Sequence, residues 1–291
     1  MRTGSAGPDA AVVRAAREGV IDMSWALRFH GVGNASSVEL GSAMATIERD
    51  GRPWLTIDCG AEGLTAYLAH YGEAPRALFI THTHLDHVAG FERLFVDSYF
   101  DPSRCGRVRV YVPAHVVPLL HQRVGDYPNA LAEGGANFWD AFQVIPVGGA
   151  FWHDGVRLET FEARHHWPRT AYGLRLRGSV VWTGDTRPIP ETLAVMAGEG
   201  EIVAHDCAVR GNPSHTGVAD IEREYPRELL DRCILYHYVG AEEGEALRAR
   251  GHRVASPGEC VPLAEPTAAR AEPFAPDDAP AASPRVSTSL T

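Results

Sequence analysis

Cysteine is scarce in this chain and follows no pattern. The five cysteines, Cys59, Cys105, Cys207, Cys233 and Cys260, are odd in number and include no CxxC spacing. That argues against a disulfide framework and for reduced thiols in a cytoplasm. Long apolar runs are missing too. None approaches the ~18 residues of a membrane span, and the N-terminus lacks the apolar core of a signal peptide. Positive charge is in short supply: 27 Lys and Arg face 37 Asp and Glu, a formal net charge of −10. A broad grip on nucleic acid needs basic surface, so that class of function is disfavoured. A small anionic substrate held by metal is compatible with the same charge. No segment repeats at a solenoid period.

What is present is an ordinary globular balance, 45 % hydrophobic and 22 % charged. The 291 residues give room for one large domain or two small ones. Composition divides the chain. Residues 1–22 are small, polar and broken by Pro and Gly, an N-terminal extension. Residues 23–263 carry the apolar segments of a folded domain. Residues 264–291 are dominated by Pro, Ala, Asp, Ser and Thr, a tail disordered by composition. Within the domain, short apolar strands alternate with helical patterns, and Ala114 to Val124 reads as one helix. A long irregular stretch runs from about Gly125 to Trp139. Its Tyr127, Phe138 and Trp139 either line a pocket or fold back onto the core. His252 to Ala255 reads as the last strand.

The densest chemistry is His82-Thr83-His84-Leu85-Asp86-His87, directly after the apolar run Ala77 to Ile80. Imidazole and carboxylate suit zinc, manganese or iron. In an extended segment side chains two apart point the same way, so His82 and His84 can grip one metal. Asp86 and His87 lie at the turn into a helix, where they can face a second. The same event recurs down the chain: an apolar strand ends in a ligand-type side chain at His165 or His166, at Asp185 and at His237. Ligands delivered from strand ends converge on one rim of a rigid frame. Alternation puts Phe161, Ala163 and His165 on one strand face and Glu162, Arg164 and His166 on the other. His165 is therefore the inward residue, with His166 as the alternative.

On Asp58-Cys59-Gly60, the histidine cluster, His165, Gly184-Asp185-Thr186, His205-Asp206 with His215, and His237, the chain resembles the metallo-β-lactamase-fold hydrolases. It is most similar to their ribonuclease Z-like phosphodiesterase branch, over about residues 25 to 260. The resemblance implies an α/β fold, a four-layer αββα sandwich. It implies two divalent metal ions, zinc first, with manganese or iron as alternatives. His82, His84 and His165 would hold one ion and Asp86, His87 and His237 the other, with Asp185 bridging. Asp58 would orient the cluster from behind. The catalytic set would be His215, Asp206 and Asp86, acting with a metal-activated water. His215 is the general acid in that set, paired with Asp206 where the family often has glutamate. The shorter Asp is expected to shift the geometry. A carboxylate beside a histidine favours the protonated, donating form. Dimers are common among similar proteins, and the resemblance admits a homodimer.

One interval departs from the pattern. Only 20 positions separate His165 from Asp185. Transfer-RNA-processing members that carry a long, glycine-rich arm have it here. With the acidic balance, this disfavours transfer RNA and points to a small phosphodiester, cyclic phosphate or cyclic nucleotide. A lactone, β-lactam or thioester hydrolase on the same metals is the alternative, disfavoured by the Asp206–His215 pairing. An iron-dependent, persulfide dioxygenase-like oxidoreductase is a second. It needs one iron with open positions, where seven ligands stand.

Overall fold

The computed structural model describes residues 24–125 and 136–267. The N-terminal extension, Tyr127 and most of the C-terminal tail lie outside that range. The first half of the domain runs β1 (Trp25–Gly31), β2 (Met44–Arg49), β3 (Arg52–Ile57), α1 (Ala61–Tyr71), β4 (Ala77–Phe79), α2 (Leu85–Val88), α3 (Phe91–Tyr99), β5 (Val108–Pro113), α4 (Val117–Leu120), α5 (Phe138–Ala141) and β6 (Phe142–Val147). The second half runs β7 (Ala150–His153), β8 (Val156–Glu162), β9 (Tyr172–Leu176), β10 (Val180–Trp182), α6 (Pro190–Met196), β11 (Ile202–Asp206), α7 (Val218–Glu224), α8 (Arg227–Leu230), β12 (Cys233–Tyr236), α9 (Ala241–Ala249) and β13 (Arg253–Val254). A last strand, β14 (Cys260–Leu263), returns to the first half.

The strands form two seven-stranded mixed sheets, ordered β14-β1-β2-β3-β4-β5-β6 and β13-β12-β11-β10-β9-β8-β7. They pack through large side chains. Phe29 of the first sheet lies 5.9 Å from Trp182 of the second, and Trp182 stacks on Tyr236 at 4.2 Å. Phe151 of the second sheet stacks on Tyr111 of the first at 4.5 Å and on Phe79 at 5.9 Å. Each sheet carries helices between its strands, so the architecture is the four-layer αββα sandwich. The central strands β4, β10 and β12 are buried along their whole length. That is why they read as unbroken apolar runs rather than alternating ones. Among the described residues, no helix is long and apolar enough to cross a membrane.

Strand direction places the site. β10, β11 and β12 are mutually parallel, and β8 shares their direction because β9 runs antiparallel to both β8 and β10. Their C-terminal ends therefore open on one edge, where open α/β sheets bind ligands. β3 and β4 are likewise parallel.

Two expectations are corrected and one open alternative is decided. The last strand is β14, not His252–Ala255, of which only Arg253 and Val254 pair. β14 sets Leu263 opposite Trp25 and closes the first sheet. It is four residues with a Pro, too short to read, and its edge position tolerates Pro262. Ala114 to Val124 is not one α-helix: α4 covers four residues and then widens into a π-helical turn, His121–Gly125. Phe138 does not line a pocket. It packs against Phe91, Phe95 and Phe142 in the core. Trp139 stacks on His121, and its indole donates to His121 Nδ1 at 3.1 Å. Past the expected domain end, the Thr267 amide donates to the Arg177 carbonyl at 2.8 Å.

A buried ion-pair ladder fixes the second sheet. Arg175 on β9 donates to Glu201 Oε1 at 2.8 Å and Oε2 at 3.0 Å, and to Glu159 of β8 at 3.1 Å. Glu201 also accepts from the Gly178 and Gly198 amides, at 2.6 and 2.9 Å. Removing the cation leaves the fully buried Glu201 without a counter-charge, while Glu159 keeps Arg157 and Arg177. Arg175→Met should cost about 3 kcal/mol in urea unfolding. Stability within a few tenths of wild type would refute this role.

Candidate metal centre

The histidine cluster begins where β4 gives way to α2. Asp58, two residues before α1, sits beneath it. Asp58 is fully buried and left-handed, with φ 65°. That conformation costs a non-glycine residue about 1–3 kcal/mol, so it persists only under strong local constraint. The constraint is visible. Asp58 Oδ1 accepts from the Thr81 amide at 2.8 Å, and Oδ2 accepts from His87 Nδ1 at 2.8 Å. The Thr81 hydroxyl donates to the same carboxylate at 2.8 Å and lies 3.0 Å from His82 Nδ1. Both rings are thus held by Nδ1 from behind, which leaves Nε2 facing the centre. Gly60 allows this packing, since a Cβ there would sit 2.1 Å from the Asp86 carbonyl oxygen.

Seven side chains converge in front of Asp58. His82, His84, His165 and Asp185 form one group, and Asp86, His87, Asp185 and His237 another, with the ligand atoms of each within 4.8 Å of one another. Asp185 belongs to both. Its Oδ2 lies 3.2 Å from Nε2 of His87 and of His237, 3.6 Å from His82 Nε2 and 3.8 Å from His165 Nε2. Asp86 Oδ2 is 3.5 Å from Nε2 of His87 and of His237. Gly184 delivers Asp185 from the end of β10 in a left-handed turn, φ 64°. His237 follows β12 and is itself left-handed, φ 72°.

His165, not His166, reaches this centre. It is buried, with Nδ1 on the Ser214 carbonyl oxygen at 3.0 Å and Nε2 3.1 Å from His84 Nδ1. His166 is exposed and stands outside, its Nε2 2.9 Å from His84 Nε2.

Both oxygens of Asp185 and the Nε2 atoms of His82, His87 and His237 are buried and make no hydrogen bond among the described residues. Buried polar atoms without partners, all turned to one space, fit a bound cation. The donor set, imidazole nitrogen and carboxylate oxygen, suits a divalent transition metal. Electrostatics agree. Burial opposes charge on His87 and His237, yet the facing carboxylates outweigh it. Asp185, Asp58 and Asp86 hold His87 well above the usual imidazole range, and Asp185 and Asp206 push His237 up to about 10. His165 lacks that surplus, and burial pushes it down to about 4. The carboxylates thus draw positive charge into the space between them, as protons or as metal.

A second polar unit adjoins the cluster. Asp206, fully buried at the end of β11, accepts from His215 Nδ1 at 2.9 Å and from the Thr186 amide at 2.9 Å. Its other oxygen is 3.4 Å from His237 Nδ1. The rings of His215 and His237 stack at 4.9 Å. The shorter Asp therefore closes the pair without loss of reach. Glu243, in the first turn of α9, accepts from the Val209 and Val239 amides, both at 2.7 Å. It ties the loop after Asp206 to the loop after His237. Sequence reasoning passed over Glu243, and it placed Thr81 and Thr186 within motifs without assigning either a supporting role. Thr81 and Thr186 carried a signal, their places beside the histidine cluster and Asp185, and Glu243 carried none. His30, His153 and His205 are buried packing residues, with Thr46, Tyr111 and Tyr225 as hydrogen-bond partners.

Comparison with known proteins agrees with this geometry. A family profile described as Anti-Pycsar protein Apyc1 matches residues 25–260. The chain is 29 % identical over 227 residues to the Anti-Pycsar protein Apyc1 of Saccharibacillus brassicae, covering 75 % of this chain and 91 % of that protein. It is 25 % identical over 227 residues to a Ribonuclease Z of Mycobacterium sp. (strain KMS), covering 71 % and 74 %. Among solved structures, a diphosphatase from the PhnP family superimposes with a TM-score of 0.65 at 16 % identity, over 81 % of this chain and 97 % of that one. The fold is that of the metallo-β-lactamases, in the ribonuclease Z-like branch. With the profile spanning the folded domain from β1 to the start of β14, the chain belongs to the Anti-Pycsar protein Apyc1 family.

Proposed function

We propose that this protein is a phosphodiesterase that opens a small phosphodiester, a cyclic nucleotide first of all, on two divalent ions, with zinc the leading choice. The coarser statement, a metal-dependent hydrolase, follows from the family and the two ligand groups. Membership of the Anti-Pycsar protein Apyc1 family and the likeness to a Ribonuclease Z support the finer one. The observation that carries the reading is the Asp206–His215 pair beside the metal groups. Phosphodiester hydrolysis expels an alkoxide, and an alkoxide leaves faster when it is handed a proton.

In this reading His82, His84 and His165 hold one ion, Asp86, His87 and His237 the other, and Asp185 both. Asp86 also belongs to the catalytic set, as the exposed-side carboxylate of the second group. Bound there, the ions supply an activated water and neutralise charge growing on the phosphoryl oxygens. His215 supplies the proton. Asp206 holds its Nδ1, so Nε2 is the donating atom, and the proton passes to the oxygen released as the P–O bond breaks. Asp206 also keeps the His237 ring in place from its rear nitrogen. The β9–β10 hairpin fills the interval where an RNA-gripping arm would stand, which supports a small substrate. Lactone, β-lactam or thioester hydrolysis gives the dyad less to do. Persulfide oxidation takes one iron, whereas three groups of ligand-type side chains adjoin here, two of them sharing Asp185 and the third formed by Asp206, His215 and His237.

Reconstitution with zinc should give two ions per chain by elemental analysis and hydrolysis of cyclic nucleotides. A single tightly held iron with no phosphodiesterase activity would overturn the reading. His215→Ala should lower kcat on the order of 100-fold with metal content unchanged; full activity in that variant would remove the general-acid role. Asp58→Asn keeps a residue that tolerates the left-handed backbone and weakens the grip on His87 and on the Thr81 hydroxyl behind His82. Metal affinity, read by chelator competition, should fall about 10- to 100-fold. An unaltered affinity would show that Asp58 orients nothing.

A further inference from the structure

Beside the metal groups lies a cavity of about 620 Å³ that none of the assigned roles uses. Its volume falls in the range of small-molecule sites. His84 and Asp86 form one wall, so anything seated in it abuts the metal centre. The remaining wall is built from short side chains on separate segments. Ala35 comes from the loop after β1, Ala61 opens α1 and Ala89 ends α2. Leu85, between the two ligands, turns outward and is 57 % exposed, a large apolar side chain left open beside a polar centre.

Arg123 stands at the same cavity. It lies in the π-helical turn His121–Gly125, a distortion that often marks functional positions. Among the described residues, its guanidinium has no hydrogen-bond or ion-pair partner. Glu62 also lines the cavity and makes no ion pair with it. A guanidinium beside an apolar wall, with no partner among the described residues, has a defined chemistry. It is planar, stacks on aromatic rings, and donates to ring carbonyls and ring nitrogens.

We propose that this cavity is the subsite for the nucleobase of the substrate, with Leu85 and the three alanines as its apolar wall and Arg123 as the residue that holds the base. The assignment rests on the cyclic-nucleotide reading above and deepens it. The phosphoryl group sits at the metals, and the base extends past His84 and Asp86 into the cavity. Arg123 contributes to binding and not to bond breaking, so its loss raises KM and leaves kcat in place. Filling the wall has the same effect by exclusion.

The test compares 3′,5′-cyclic nucleotides with ribose 3′,5′-cyclic phosphate, which has the same reacting group and no base. In zinc-loaded Arg123→Ala, KM for the cyclic nucleotides should rise about tenfold, the loss of one good contact, while KM for the base-free probe stays put. Ala89→Phe should act in the same direction, and unaltered far-UV circular dichroism would certify its fold. A KM unchanged for cyclic nucleotides in both variants overturns the subsite while leaving the phosphodiesterase reading intact. An equal rise for both substrates also overturns it, because Arg123 would then serve the phosphate. Wild-type enzyme that opens neither compound refutes the underlying reading and the subsite with it.

Discussion

Negative charge buried in one place is the constraint on which the rest of this molecule depends. Asp58, Asp185 and Asp206 are each fully or nearly fully buried, and Asp86 joins them at the rim. Carboxylates in such surroundings must be paired. Each is met differently. Asp58 is satisfied by the Thr81 amide, the Thr81 hydroxyl and His87. Asp206 is held through Oδ2 by His215 and the Thr186 amide, while its Oδ1 makes no hydrogen bond among the described residues and lies 3.4 Å from His237 Nδ1. Asp185 has no hydrogen bond among the described residues, and only imidazole nitrogens face it. That asymmetry separates carboxylates that position from the one that waits for a cation. It also explains why two non-glycine residues here, Asp58 and His237, accept left-handed backbone. The strain is small beside the cost of leaving the charges unpaired.

The sandwich serves this constraint through strand direction. β8, β10, β11 and β12 bring His165, Asp185, Asp206 and His237 to one edge of the second sheet. β4 brings His82 and His84 to the facing edge of the first. Neither sheet alone holds a complete ligand group. The stack of Phe29, Trp182 and Tyr236 between the layers therefore sets the distance between half-sites as well as the stability of the core. Glu243 performs a related task at the loop level, since the loops after Asp206 and His237 hang from its two oxygens.

What could be read from sequence is what depends on local spacing. His82 to His87 are six consecutive residues whose directions follow from strand and turn alone. His165 is buried and His166 exposed as alternation from Phe161 suggests, but β8 ends at Glu162, so the contacts of the following bend, the Arg164 amide on Thr186 and His165 on Ser214, set their directions. The αββα fold was legible only through resemblance, because no local pattern states that β14 comes back to pair with β1. The supporting hydrogen bonds were not legible. Ser214 and Glu243 are common residues in unremarkable contexts, and the partners of these two and of Thr81 and Thr186 lie far away in sequence. The cavity beside Leu85 was invisible for the same reason, since its alanines come from segments with no pattern in common. Phe138 shows the converse limit. Composition marked it as either pocket or core, and only the cluster of Phe91, Phe95 and Phe142 decides.

The interval from His165 to Asp185 carries the last step, because it argues for substrate size from both of its ends. At the far end, the Arg177–Gly178 turn is held by Glu201, which accepts the Gly178 amide, and by the Thr267 amide on the Arg177 carbonyl. A Cβ on Gly178 would already meet the Thr267 hydroxyl at 2.3 Å. At the site end, the segment between β8 and β9 is tied down by three contacts. The Arg164 amide donates to Thr186 Oγ1 at 2.9 Å, His165 Nδ1 meets the Ser214 carbonyl, and His166 meets His84. Between these ties only a short exposed turn, residues 166–169, projects from this edge. The same ties that hold His165 on the metal groups keep this edge of the site short. A short edge favours a substrate that fits beside the metals over one that must be embraced.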